Sequence, residues 1–299
     1  LLESDLDSNS TMNYGGKQMQ STGPSEQRSY ETVATPDAGV SVNSGGLGRF
    51  LKCHPFPVLA YFERVVAVSF AFPEAVLRPL VARGLEVDTH EGLGFVTVAM
   101  VWTKRLRPAG FPRFLGRDFF LAGYRIFVRF EEASGRRLRG LQILQSETDK
   151  HSMVRLGNLM TGYHYQHVAV QITDRDRETE VKTATASGEP KLDLTFALPA
   201  SEVGLPEGSP FKDWRSARRV AGPMPFTFSP QANGSFVIVE GRRQDWEPHP
   251  VVVKHWQVSL FSSPAFRGVT PVLANAFTVK NIPYRWEKGR VAWPGGIRE

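Results

Sequence analysis

Tyr124, Ile126, Val128 and Phe130 alternate with Arg125, Phe127 and Arg129, so Gly123–Glu132 reads as a strand with one strongly apolar face. A turn at Ser134-Gly135 returns the chain as Leu138–Glu147. The same reasoning gives strands at Arg64–Phe72, Tyr165–Thr173, Glu178–Thr185, Lys191–Leu198, Phe226–Ser229, Phe236–Glu240, Val251–Phe261 and Phe277–Val279. Leu85–His90 and Phe95–Thr103 are expected to pair as a hairpin about Glu91-Gly92. Helical spacing is sparse. Pro73 opens a short helix through Val81, and Asp149 is the expected N-cap of a helix carrying Met153, Leu156 and Met160 on one face. Ser209-Pro210 is expected to start a third helix through Arg219, ending at Gly222. Many strands, short turns and few helices predict a mainly β (α+β) fold: an antiparallel, barrel-like sheet with a few helices attached.

Residues 1–49 break this pattern. They are rich in Ser, Gly, Thr, Asn and Gln, with Tyr14 and Tyr30 their only aromatics, and are expected to form a disordered arm. A single domain over residues 50–299 follows. The opening Leu1 suggests a fragment or a displaced start, with Met12 and Met19 as alternatives. No apolar run approaches a membrane span, and no secretion signal opens the chain. Cys53 is the only cysteine, which excludes an intrachain disulfide and suits a reducing, cytoplasmic compartment. The net charge is +6, and residues 1–50 hold six acidic and three basic side chains, so the remainder is more basic than the whole. Lys and Arg are scattered without a basic stripe, so a small anionic ligand is expected rather than nucleic acid.

Several spaced segments carry a resemblance. Tyr124-Arg125-Ile126-Phe127-Val128 precedes Gly135-Arg136-Arg137-Leu138-Arg139-Gly140-Leu141 and Ser146-Glu147-Thr148-Asp149. Pro223-Met224-Pro225-Phe226-Thr227-Phe228, Leu273-Ala274-Asn275-Ala276-Phe277 and Pro283-Tyr284-Arg285-Trp286 come later in the chain. Together they resemble the YqjF-like family of uncharacterised bacterial proteins. The resemblance implies an acetoacetate-decarboxylase-like fold, an antiparallel barrel-like sheet around a cavity, and no established activity. Decarboxylase relatives form a Schiff base on a lysine, within a signature of two adjacent lysines after a glycine-proline turn. This chain has no Lys-Lys pair; Lys150, with His151 and Arg155 near it, is the lysine in the comparable strand-to-helix region.

The candidate chemistry lies on the strand pair and the helix after it. By parity Arg139, Gln145 and Glu147 share a face with Leu141 and Ile143, and Arg125 lies across the turn. If that face lines a barrel, these side chains can hold a carboxylate; if it faces water, they make a cross-strand ion pair. Lys150 at a helix start either reaches a cavity mouth or is a solvated surface lysine. His164, within Tyr163-His164-Tyr165-Gln166-His167, is a possible acid–base group. His164 and His167 lack a visible third ligand, so neither a metal nor a cofactor is expected. Three functions stay open: a pocket protein for a small organic, anionic ligand at Arg125, Arg139, Gln145 and His164; a lyase on a keto or carboxylic acid using Lys150 or Glu147; or an interaction protein with a filled barrel. Hydrolase elbow, zinc-protease, Walker and complete dinucleotide motifs are absent from the sequence. Nothing in the sequence specifies the oligomeric state.

Overall fold

The computed structural model describes residues 51–295 except 202 and 245. The arm expected over 1–49 therefore lies outside the described residues. The elements run β1 (Val58–Pro73), α1 (Glu74–Leu77), β2 (Leu85–Val87), β3 (Leu93–Pro108), β4 (Arg117–Glu131), β5 (Arg137–Thr148), α2 (His151–Met160), β6 (Tyr165–His167) and β7 (Ala169–Arg175). They continue with β8 (Glu178–Ala184), β9 (Pro190–Ala197), α3 (Trp214–Ala221), β10 (Phe226–Pro230), β11 (Phe236–Arg243) and β12 (His249–Pro250). β13 (Val252–Val258), β14 (Val272–Trp286) and β15 (Arg290–Ala292) complete the chain.

Seven of these strands form a ring in the order β14-β1-β3-β4-β5-β10-β11, because β11 pairs back onto β14. The result is a barrel-like sheet. Its junctions are antiparallel except β5 with β10, which is parallel, as is the flanking pair β5 and β6. A second, four-stranded antiparallel sheet, β13-β9-β8-β7, covers one side of the ring.

This layering explains the composition of the long strands. Val65–Phe72 and Phe95–Val101 are buried at every position, as a strand covered on both faces must be. One face, including Val66, Val68, Phe70, Val98, Tyr124 and Ile126, packs against Val181, Leu192, Leu194 and Phe196 of the second sheet. The opposite face, including Val65, Ala67, Ala99, Leu121 and Phe127, lines the ring interior. α3 closes one end over Phe95, Phe127 and Leu141, and Met153 of α2 joins the cluster at the other.

Local chemistry shifts several expected boundaries. Asp149 does not cap α2; its Oδ1 accepts the Phe120 N–H at 2.9 Å, and Lys150 takes the N-cap position without a side-chain cap. Ser209 gives its hydroxyl to Ala274 O at 2.7 Å, so α3 starts later, where Asp213 and Ser216 form a capping box. The helix after Pro73 is one α turn followed by a 3₁₀ turn over Arg78–Leu80. β2 pairs with β4 rather than β3, so the expected hairpin is replaced by a single bridge between His90 and Leu93. The run expected as one strand from Tyr165 divides between the two sheets.

Candidate functional site

Two adjacent rows of side chains cross the ring interior. The first is small: Ala67 lies opposite Ala99, Ala99 opposite Gly123, and Gly123 opposite Ser146. The room these small residues leave is taken by the Arg125 and Trp246 side chains. The second row is polar: Asn275 lies opposite Ser69, Ser69 opposite Thr97, and Thr97 opposite Arg125. Ser69 Oγ, Asn275 Oδ1 and Arg125 Nε are all buried and lack a hydrogen-bond partner among the described residues. Unpartnered buried polar atoms are rare, and three of them lie in one lateral row. The Asn275 amide group itself reaches Ala217 O and Ala221 O of α3, both at 3.4 Å.

Arg125 folds back over the small row. A Cβ added to Gly123 would sit 2.9 Å from Arg125 Nε and 3.0 Å from a terminal guanidinium nitrogen, so glycine is what allows that side-chain path. No carboxylate pairs with Arg125 among the described residues. Burial pushes its guanidinium pKa down, opposed by the phenols of Tyr284, Tyr165 and Tyr163. Arginine starts so high that it remains a cation. Burial pushes the Tyr163 phenol up to about 12, and those of Tyr165 and Tyr284 upward as well. All three are therefore neutral hydrogen-bond donors at physiological pH. Tyr163 is tied to Thr227 of β10 at 2.7 Å. Trp246 packs on Ala67, Ala99 and Phe277 over the small row, its indole N–H buried and without a hydrogen-bond partner among the described residues.

The residues singled out from the sequence do not all meet here. β5 carries a bulge: Tyr124 lies opposite Gln145, but Arg125 lies opposite Ile143, leaving Leu144 as the extra residue. One extra residue reverses facing. Arg139, Leu141 and Ile143 thus share the interior face with Arg125, whereas Gln145 and Glu147 point to the second sheet. The expectation that all five share one face is corrected.

Glu147 is fully buried, accepting from Gln145 Nε2 at 3.2 Å and from Thr183 Oγ1 at 3.0 Å. Burial pushes its carboxyl up, opposed by the Thr183 and Tyr124 hydroxyls and by Lys191. Tyr124 Oη lies beside it, outside hydrogen-bonding geometry. The partner of Arg139 is Asp88, not Glu147: Arg139 Nε donates to Asp88 Oδ2 at 2.6 Å, and Arg129 Nε donates to Oδ1 at 2.6 Å. Arg139 also donates to Arg219 O and Val220 O at the end of α3.

Lys150 lies on the surface with its side chain 51% exposed, 3.1 Å from Asp149. His164 is exposed at φ 51°, and its carbonyl, rather than its ring, accepts the Ser146 N–H. His167 stacks on His151 at 3.7 Å. No group of three or more metal-ligating side chains occurs among the described residues. No helix among them is long and apolar enough to cross a membrane.

The profile of the DUF2071 family, described as an uncharacterized conserved protein, matches residues 60–292. The chain belongs to this family. Its fold is similar to that of acetoacetate decarboxylase from Legionella pneumophila, with a TM-score of 0.54 and 11% identity over 79% of this chain and 87% of that one. It is also similar to an acetoacetate decarboxylase-like enzyme from Sphingomonas wittichii, with a TM-score of 0.52 and 13% identity over 81% of this chain and 94% of that one. The enduracididine biosynthesis enzyme MppR, in a complex with pyruvate, matches with a TM-score of 0.51 and 12% identity over 79% and 90%. At such identities the likeness carries the fold alone. No curated protein matches the sequence.

Sequence reasoning missed Ser69, Asn275, Tyr284 and Asp88. Each sits on a strand or turn far along the chain from Arg125 and Arg139, so spacing gives no signal. Gly123 was legible as part of the strand but not as the gap beneath Arg125.

Proposed function

We propose that this protein binds a small organic anion, a carboxylate, in the ring interior at Arg125. The observation that carries the reading is a buried, permanently charged guanidinium with no carboxylate partner among the described residues, beside two further unpartnered polar atoms. A carboxylate can accept from the Arg125 fork, while the Tyr163, Tyr165 and Tyr284 phenols supply neutral donors around it. The unpartnered Asn275 carbonyl oxygen and Ser69 hydroxyl suit a polar substituent beside that carboxylate, such as a hydroxyl or a keto group's hydrate. Pyruvate, present in the complex of the fold relative MppR, is a suitable first probe.

Calorimetric titration of the full chain with pyruvate, acetoacetate and benzoate tests the proposal. At least one should bind saturably, and Arg125→Met should weaken it by about thirtyfold or more, the size expected for losing a desolvated charge partner. Equal binding to both proteins would remove Arg125 from the site.

A lyase reading is favoured by one specific observation. Gly188-Glu189-Pro190-Lys191 places a lysine after a glycine-proline turn, and Lys191 lies within electrostatic reach of Glu147. The next position is Leu192, not a second lysine, and among the described residues no lysine lines the groove at Arg105 or the three smaller cavities with it. Lys150 fits this chemistry poorly because it is solvated and ion-paired. Borohydride trapping with acetoacetate, followed by peptide mapping, separates the readings: an adduct on Lys191 supports the lyase, and its absence leaves the binding protein.

A further inference from the structure

We propose that the arginine-rich groove at the edge of the ring is a second anion site, separate from Arg125, that takes a phosphate-bearing small molecule of the pyrophosphate type. The groove is an open cavity of about 1160 Å³ between β1, β11, β14 and the β3–β4 loop. Arg105, Arg107, Arg113, Arg242, Arg243 and Arg285 line it, with Glu240 and Glu287 as the only acidic side chains there among the described residues.

Those two carboxylates are already engaged. Arg242 Nε lies 3.2 Å from Glu240 and 3.5 Å from Glu287, and Arg285 Nε donates to Glu287 at 2.8 Å. The other four arginines have no acidic partner among the described residues. Arg107 donates to Phe111 O and Arg105 O, and Arg243 donates to Pro223 O while lying 4.9 Å over the Trp246 ring. Arg105 lies 5.2 Å over the Tyr61 ring. Backbone acceptors and rings orient the Arg105, Arg107 and Arg243 guanidinium groups without neutralising them. Four uncompensated cations around one concavity focus a positive potential that a single carboxylate does not balance. Phosphate oxygens match several planar forks at once and carry the charge to do so. The groove has the dimensions of a small-molecule site rather than the extended stripe that a nucleic-acid backbone requires. Arg125 does not line it; the groove meets the ring interior through Trp246 and through Tyr284, whose phenol lies within electrostatic reach of both Arg243 and Arg125.

Calorimetric titration of the full chain with sodium pyrophosphate at low ionic strength tests this site. The protein should bind one equivalent saturably. The double variant Arg105→Ala, Arg113→Ala alters two exposed side chains, and a thermal melt verifies that it folds; it should bind pyrophosphate about tenfold more weakly or worse. Arg125→Met should keep the wild-type affinity within about twofold, which separates this site from the carboxylate site even if that proposal fails. Absence of saturable binding, or unchanged affinity in the double variant, would overturn the inference. So would equal loss in Arg125→Met, or affinity for single-stranded oligonucleotides that exceeds pyrophosphate and grows with length.

Discussion

Arg125 and Glu147 are buried charges on opposite faces of the same two strands, and burial confronts them with different problems. Glu147 can take a proton: its carboxyl is pushed up, and two hydrogen bonds from Gln145 and Thr183 hold it. Its position between the two sheets is therefore self-sufficient. Arg125 cannot shed its charge, and no carboxylate is placed beside it among the described residues. Arg139, on the same interior face, shows the ordinary solution, a buried Asp88 shared with Arg129. The contrast teaches that Arg125 is the one of the three with neither a counter-charge among the described residues nor a neutral form to adopt, which is why the proposed carboxylate is placed there.

The largest expected effect tests the ordinary solution. Asp88→Ala should destabilise the fold by roughly 2–3 kcal/mol, below the full cost of breaking a buried pair because both guanidinium groups are half exposed. Denaturant unfolding measures this, and a change below about 0.5 kcal/mol would show that Asp88 does not hold these arginines. Arg125→Met should do the reverse. With no pair to break, replacing a desolvated cation by an apolar chain should stabilise the ligand-free protein by about 1 kcal/mol while abolishing carboxylate binding. A loss of stability would mean that Arg125 is a structural element. Gly123→Ala places a methyl against the Arg125 guanidinium, whose flexible end must shift. Carboxylate affinity should fall about threefold, with a stability change under about 1 kcal/mol. Unchanged affinity would separate the Gly123 row from the site.

Glu147→Gln has the smallest effect, and its sign depends on pH. The folded protein holds the Glu147 proton more tightly than the unfolded chain does. That contribution is therefore full in acid and declines as pH rises from the ordinary carboxylate range through the raised value. The glutamine variant, which cannot ionise, should melt higher than wild type at about pH 8, and the difference should shrink toward about pH 4. A constant difference would mean that folding does not shift the Glu147 pKa.

Much of this architecture is legible in the sequence. Alternation in β4, the turn at Gly135 and the apolar runs of β1 and β3 all report strands, because each is a local consequence of burial. The facing of β5 is not legible beyond Ile143. A bulge at Leu144 reverses parity, and no residue there announces it, since the bulge is set by pairing with β4. The partner of Arg139 was sought within its own hairpin and lies 51 residues away at Asp88. Arg125 is legible as a candidate because it stands across the turn from Arg139, Gln145 and Glu147. The polar row through Ser69 and Asn275 exists only once β1, β3, β4 and β14 are side by side.

The measurement that meets the central claim most directly is the NMR signal of the Arg125 side-chain Nε–H in protein labelled with ¹⁵N-arginine and assigned through Arg125→Met. Among the described residues this group has no hydrogen-bond partner. Titration with the tightest-binding carboxylate from the calorimetric panel should move its proton resonance downfield, saturating with the calorimetric affinity, while the Arg139 signal stays fixed on Asp88. An Arg125 signal that does not move while the carboxylate binds, or that moves no more than Arg139, would contradict the account.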